Sequence, residues 1–310
     1  MKSFPAICAA GCSLVMLLIF PDAAKEAVIS GLETCGKIII PSLFPFFVAI
    51  NLIVELGAIV ALCRILCIRS AKFAAFIIGI TGGYPVGAAY IAESRRRGEI
   101  SCEEASGLLV YCNNSGPAFI IGAVGTGVFH SISAGLILYA AHIISAALYG
   151  KLLNVESSES FCSKEYKSAD FSSALTTAVK KSVSSIINVC GFVLAFSVVL
   201  KLLNANGLIS VISGKMAELT HTQLKFNYAL ITGLFEIGNC ISEMQGLLPS
   251  PLNMALAAFI LGWGGFSVHF QTLSLIAETD IKTARYIIGR FLIAVMASAI
   301  AFLTALIFRI

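Results

Sequence analysis

Four interruptions inside apolar runs are the places where this chain could do chemistry. FAAFIIGITGGYPVGAAYIA at 73–92 puts Gly82, Gly83, Tyr84, Pro85 and Gly87 in its middle. YCNNSGPAF at 111–119 places Asn113, Asn114 and Ser115 ahead of Gly116 and Pro117. FNYALITGLFEIGNCISEM at 226–244 carries Gly233, Glu236, Gly238 and Asn239, and GWGGFSVHFQ at 262–271 carries Gly264, Gly265, Ser267, His269 and Gln271. In a hydrocarbon setting each break frees backbone N–H and C=O groups that must find partners. The helices that restart after Gly87 and near Ala118 then offer positive N-terminal dipole ends, which suit an anion or the carboxylate of a zwitterion. Asn113, Asn114 and Ser115 add neutral donors and acceptors. The plain structural alternative is a Pro/Gly kink whose freed groups are capped by Asn and Ser.

Glu236 is the one carboxylate that falls mid-segment in an apolar stretch. Ionisable groups at such depth are costly and mark functional sites by default, so Glu236, with Asn239 beside it, is the candidate for a coupling proton or cation. His269 and Gln271 follow the fourth break and join Gly82, Gly83, Tyr84, Pro85, Gly87, Asn113, Asn114, Ser115, Gly264, Gly265 and Ser267 as candidate substrate-binding residues. A lone His is as often a satisfied interior group. The ten cysteines form no CxxC pair, and no His spacing completes a zinc site, so neither a metal nor a cofactor is expected. No metalloprotease, nucleotide-binding or paired-carboxylate motif stands out, which argues against an enzyme.

The elements that must hold these residues are membrane helices. The chain is 58% hydrophobic and 12% charged over 310 residues, with a mean hydropathy of +0.91. A soluble domain carries about 25% charged residues, so lipid is the solvent this composition suits. The net charge of +4 is small, and no aromatic-and-basic patch of the kind nucleic acid needs is present. Apolar segments run over 5–21, 38–62, 73–92, 104–128, 131–150, 183–203, 226–244, 252–277 and 286–308. Arg64, Arg69 and Lys72 precede 73–92, and Arg95, Arg96 and Arg97 follow it. Basic loops favour the cytoplasmic side, so this segment is expected to enter and return as a re-entrant hairpin. Taking 226–244 as a second hairpin gives seven crossings, a cytoplasmic N-terminus and an external C-terminus. Lys2, Lys151, Lys164, Lys167, Lys180, Lys181, Lys282, Arg285 and Arg290 then join the inner face. Lys25, Lys37, Lys201, Lys215, Lys225 and Arg309 lie outside. Pro41 and Pro45 should kink the first repeat helix, and residues 22–36 before it could lie flat as an amphipathic helix.

This map contains a repeat. With an offset of 150, Gly57 meets Gly207, Phe46 meets Phe196, and Asn113–Pro117 meets Trp263–Ser267. With an offset of 154, Gly79 meets Gly233 within AFIIGI and ALITGL. Three crossings per half would invert the second copy, the pattern of secondary transporters with paired discontinuous segments. The expected fold is therefore an all-α polytopic membrane protein, an inverted repeat with two re-entrant hairpins and interrupted transmembrane helices. It divides into 1–30 (first helix and interfacial segment), 31–150 (first repeat), 151–175 (cytoplasmic linker) and 176–310 (second repeat). Membrane lipid is an implied partner and nucleic acid is not. A homo-oligomer is neither required nor excluded.

GITGGYPVGAAYIAESRRRGEIS at 79–101 and LLVYCNNSGPAFIIGAVGTGVF at 108–129, with PSLFPFF at 41–47 and GGFSVHFQ at 264–271, resemble the YlbJ-type sporulation integral membrane protein family. That resemblance covers about residues 30–308, with GYPVGA its most specific part. It implies a gate or nucleoside-recognition domain, of the kind shared with concentrative nucleoside transporters and ferrous-iron transporters. It also implies a role in endospore formation and in moving dipicolinic acid across the outer forespore membrane. Ala89 stands where that family is expected to carry a lysine after GYPVGA, and its members are usually longer. The expectation that results is a secondary transporter or facilitator of a small organic anion, dipicolinate being the one the family implies. A carrier of nucleosides or other small solutes is the first alternative. A non-transporting sporulation gate or scaffold is the second.

Overall fold

The computed structural model describes residues 4–58, 61, 65, 71–155 and 170–309, and it is all-helical among them. Five helical stretches are long and apolar enough to cross a membrane: Pro21–Glu55, Ile132–Leu153, Phe171–Ala205, Pro251–Ile276 and Thr283–Phe308. The protein is an integral membrane protein.

Helix α1 (Phe4–Ile19) precedes a continuous 35-residue helix composed of α2 (Pro21–Thr34), one π-helical turn (Cys35–Ile39) and α3 (Ile40–Glu55). The expected flat helix over 22–36 is thus the first half of a long one. Thr34 and Ile40, on either side of the π turn, keep right-handed helical dihedrals, so nothing ends the helix there. Pro41 lacks an N–H, and the π turn lies just before it, where the proline ring would crowd the carbonyl of Lys37. This helix runs antiparallel to α8 (Phe171–Ala205). Glu26 pairs with Lys201 at 2.9 Å near one end and Glu55 with Lys181 at 2.6 Å near the other. Asn51 donates to Ser182 between them, and Gly31 leaves room for Leu194. Helix α8 begins at Phe171, capped by Asp170, well before the apolar run that marks it in the sequence. The linker residues 156–169 and most of 59–70 lie outside the described residues.

Helices α4 (Ala71–Gly82) and α5 (Val86–Arg96) fold back on each other through Gly83, Tyr84 and Pro85. The proof is a contact between glycines: a Cβ on Gly87 would stand 3.2 Å from the Gly79 Cα. Eight residues of straight helix would separate them by about 12 Å. A Ser101 cap that accepts from the Glu104 N–H starts α6 (Cys102–Cys112). Asn113–Gly116 then break it before a π-helical segment, Ala118–Thr126, and α7 (Ile132–Leu153) closes the first half.

The second half continues from α8 into α9 (Leu208–Thr220), a helix that the apolar pattern did not reveal. Helices α10 (Leu224–Phe235) and α11 (Ile237–Met244) are joined at Glu236, whose backbone is extended at φ −150°. They too fold back, since Lys225 at the start of α10 donates to the Gln245 carbonyl beyond the end of α11. Helix α12 (Pro251–Trp263) gives way to α13 (Gly265–Ile276) at Gly264 and Gly265, which have φ of +85° and +78°. Two consecutive left-handed residues end a helix, and only glycine takes that conformation at low cost. Helix α14 (Thr283–Phe308) packs on α12 through Ala294, Ala297, Ala301 and Ala305, and Gly262 touches Ala294 there. Small residues let the two backbones approach closely, which is how helices associate without a hydrophobic drive.

A polar latch ties the ends of the two halves together. Arg95 donates to both carboxylate oxygens of Asp280 at 2.8 Å, Arg96 donates to the Leu275 carbonyl, and the Lys282 N–H donates to Ser106. Hydrogen bonding by Arg95 holds the Asp280 carboxyl down at about 2, so this pair stays ionised through the mildly acidic range.

Candidate functional site

Each folded-back pair rests its tip on the broken helix of its own half. Gly83 meets Gly116, with a Cβ on the former only 2.7 Å from the Gly116 nitrogen. Gly79 and Gly87 press on the Cys112 carbonyl, where added Cβ atoms would lie at 1.7 and 2.3 Å. In the second half a Cβ on Gly265 would stand 3.0 Å from the Phe235 carbonyl oxygen, and Gly233 packs on Ile260 and Cys240. The Trp263 indole N–H donates to the Leu234 carbonyl at 3.1 Å.

Where the two tips and the two broken helices face one another they line a partly open cavity of about 50 Å³. Gly83, Tyr84, Ser115, Glu236, Ser267 and Gln271 border it with Ile39, Leu43, Phe119, Val189, Val193 and Val268, and the surface they present to it is almost wholly apolar. Both π-helical segments border it, at Ile39 and Phe119. Residues at the starts of four helices reach the cavity: Tyr84 before α5, Gly116 before Ala118, Ile237 of α11 and Ser267 in the first turn of α13. Positive helix starts therefore border this space together with the negative ends of α4 at Gly83 and of α10 at Glu236.

Glu236 answers one of these ends itself. Its Oε2 accepts from the Asn239 N–H at 2.6 Å, while Oε1 is buried without a partner. Asn239 lies elsewhere than expected: its backbone caps Glu236, but its side-chain amide donates to Ser197 on α8 at 3.0 Å, outside the cavity lining. Gln271 donates to Ser267 at 3.3 Å, and both line the cavity. The glycines Gly82, Gly87, Gly264 and Gly265, with Pro85, shape the turns and are not part of the lining.

Behind Tyr84 lies a second layer made of Asn113, Asn114 and His269 with residues that the sequence did not single out. Asn113 donates to Thr272 at 2.8 Å and to the Tyr286 hydroxyl at 3.2 Å. Tyr286 also donates to Thr272 and meets His269 Nδ1 at 3.2 Å. The Ser115 N–H donates to His142 Nε2 at 3.1 Å. Arg290 completes the layer. Its guanidinium donates to Asn114 Oδ1 at 3.1 Å, to the Tyr84 hydroxyl and to the Gly262 carbonyl. One side chain thus touches the tip of the first pair and the breaks of both halves.

The reading of Arg290 as an inner-face charge is wrong. It is fully buried, as is Tyr286 one turn earlier, because the i, i+4 spacing puts both on the α14 face that packs against α6 and α12. That spacing in an apolar run was the available signal. Arg285, five residues before Arg290 in the first turn of α14, is exposed.

These features define a polytopic helical membrane protein whose polar interior is built at broken helices. The chain belongs to the family of the sporulation integral membrane protein YlbJ. It is 31% identical over 321 aligned positions to that protein from Bacillus subtilis (strain 168), which spans 91% of this chain and 78% of the relative. No protein-family model and no solved structure matches the chain.

Proposed function

We propose that the chain is a secondary transporter or facilitator of a small organic anion that binds in the cavity between the two tips and two breaks. One observation carries this reading: four half-helix starts from both halves converge on one buried space, backed by a buried arginine. The resemblance drawn from the sequence motifs makes dipicolinate, moved from the mother cell into the forespore, the preferred cargo, and the relative's description as a sporulation integral membrane protein is in keeping with that setting. Glu236 supplies the compensating chemistry, since its unpartnered oxygen can hold a coupling proton or cation while the anion passes. The protein then works in the outer forespore membrane with a cytoplasmic N-terminus and needs no enzymatic step.

The architecture proposed with this function is an inverted repeat in which α4–α5 and α10–α11 are re-entrant hairpins. Its support is the matched behaviour of aligned glycines. Gly57 and Gly207 both take positive φ beside the ends of α3 and α8. Gly79 and Gly233 both sit where a folded-back pair presses on the first part of its own broken helix.

Proteoliposomes containing the purified chain should accumulate dipicolinate well above empty liposomes, and more than uridine or succinate. Preference for uridine would turn the reading to a nucleoside carrier. Neither uptake nor binding of any of these would favour a non-transporting gate or scaffold.

A further inference from the structure

Arg290 is more than a structural tie. It is 0% exposed, its Nε has no partner, and its bonds go to neutral oxygens of Tyr84, Asn114 and Gly262. The ion pairs among the described residues lie elsewhere, so no carboxylate cancels its charge. A guanidinium does not lose its proton in proteins. A full positive charge in a membrane interior is expensive and is retained where a counter-charge visits. Its nearest outlet is the cavity. Tyr84 lines that space, its hydroxyl accepts from Arg290, and the guanidinium carbon stands 5.5 Å from the centre of its ring. Glu236, the cavity's one carboxylate, spends one oxygen on the start of its own helix.

We infer that Arg290 is the residue that makes this cavity select carboxylate-bearing solutes over neutral ones, acting as a fixed charge bonded to the hydroxyl of the lining residue Tyr84. The inference rests on the cavity being the binding site of the proposed function, but not on transport itself. At a separation on the order of 9 Å and an effective dielectric near 20, each negative charge of a bound anion is favoured roughly 20-fold, so a dianion is favoured roughly 400-fold over an isosteric neutral molecule. Arg290 also donates to both halves near their breaks, through Asn114 and Gly262. Solute charge and the relative position of the halves therefore meet at one group.

The test compares equilibrium binding of dipicolinate with that of its neutral diamide, pyridine-2,6-dicarboxamide, to the full chain in detergent. Wild type should prefer dipicolinate by about 400-fold, Arg290→Lys should stay within about threefold of that, and Arg290→Met should lose the preference while keeping its diamide affinity. An unchanged preference in folded Arg290→Met overturns the inference, as does wild type that binds the two equally or binds neither. Should Arg290→Met not fold, Arg290→Gln decides. It keeps amide donors toward Asn114 and the Gly262 carbonyl but carries no charge, so the dipicolinate preference should be lost while diamide affinity holds. Equal effects on both ligands overturn the inference. Wild type that shows the preference but takes up neither ligand in proteoliposomes leaves the selectivity standing and removes only the transport reading.

Discussion

Gly79→Ala should prevent the protein from folding, or cost it more than about 3 kcal/mol, because no side chain can yield to the added methyl. The new Cβ would fall 1.7 Å from the Cys112 carbonyl oxygen, a backbone atom on the last residue of α6. Relief requires α4 to move away from the broken helix, which would pull the Gly83 tip off Gly116. Gly122→Ala serves as the control. It meets nothing within 4 Å and should change stability by less than about 1 kcal/mol. Thermal unfolding in detergent reads both. A Gly79→Ala protein as stable as wild type would mean that the folded-back pair does not rest on the break.

The second large effect is on transport. Glu236→Gln should leave the protein folded, since an amide oxygen can still accept from the Asn239 N–H at the start of α11. The glutamine cannot take or release a proton, and it binds a cation more weakly than a carboxylate does. A wild-type uptake rate that varies about tenfold between pH 5 and 8, or with sodium concentration, should become flat within about twofold. Uptake by Glu236→Gln with the wild-type dependence would reduce Glu236 to a helix cap.

Much of this arrangement can be read before any coordinates. Glycine, proline and asparagine inside apolar runs mark all four breaks, because they are the residues that cannot or need not continue a helix. Basic residues on both flanks of 73–92 suggest a return, and α4 and α5 do turn back at Gly83–Pro85. Glu236, alone in an apolar run, does line the cavity. What cannot be read is which buried partner a charge will find. Arg290 lies five residues from the exposed Arg285, so a charge count assigns both to the same loop. Only the approach of α14 to α6 and α12 places the guanidinium against Asn114 and the Gly262 carbonyl. His142 and Thr272 are hidden for the same reason, since neither interrupts a helix and their partners lie across the bundle. Helix α9 escapes notice because Lys215 and Glu218 dilute its apolar pattern, and α8 is underestimated because its first turns carry Lys180 and Lys181.

The central claim is that a small organic anion occupies the space between the two tips and the two breaks. Val193 on α8 lines that space, is buried, and makes no polar contact there. Placed as the single cysteine in a chain otherwise free of them, Val193→Cys should react with a small membrane-permeant thiol reagent. Dipicolinate at saturating concentration should slow that reaction at least about tenfold, because a bound ligand buries most of the surface of such a pocket. Pyridine-2,6-dicarboxamide and uridine should protect far less. A rate of modification unchanged by dipicolinate, or slowed by uridine alone, would contradict the account.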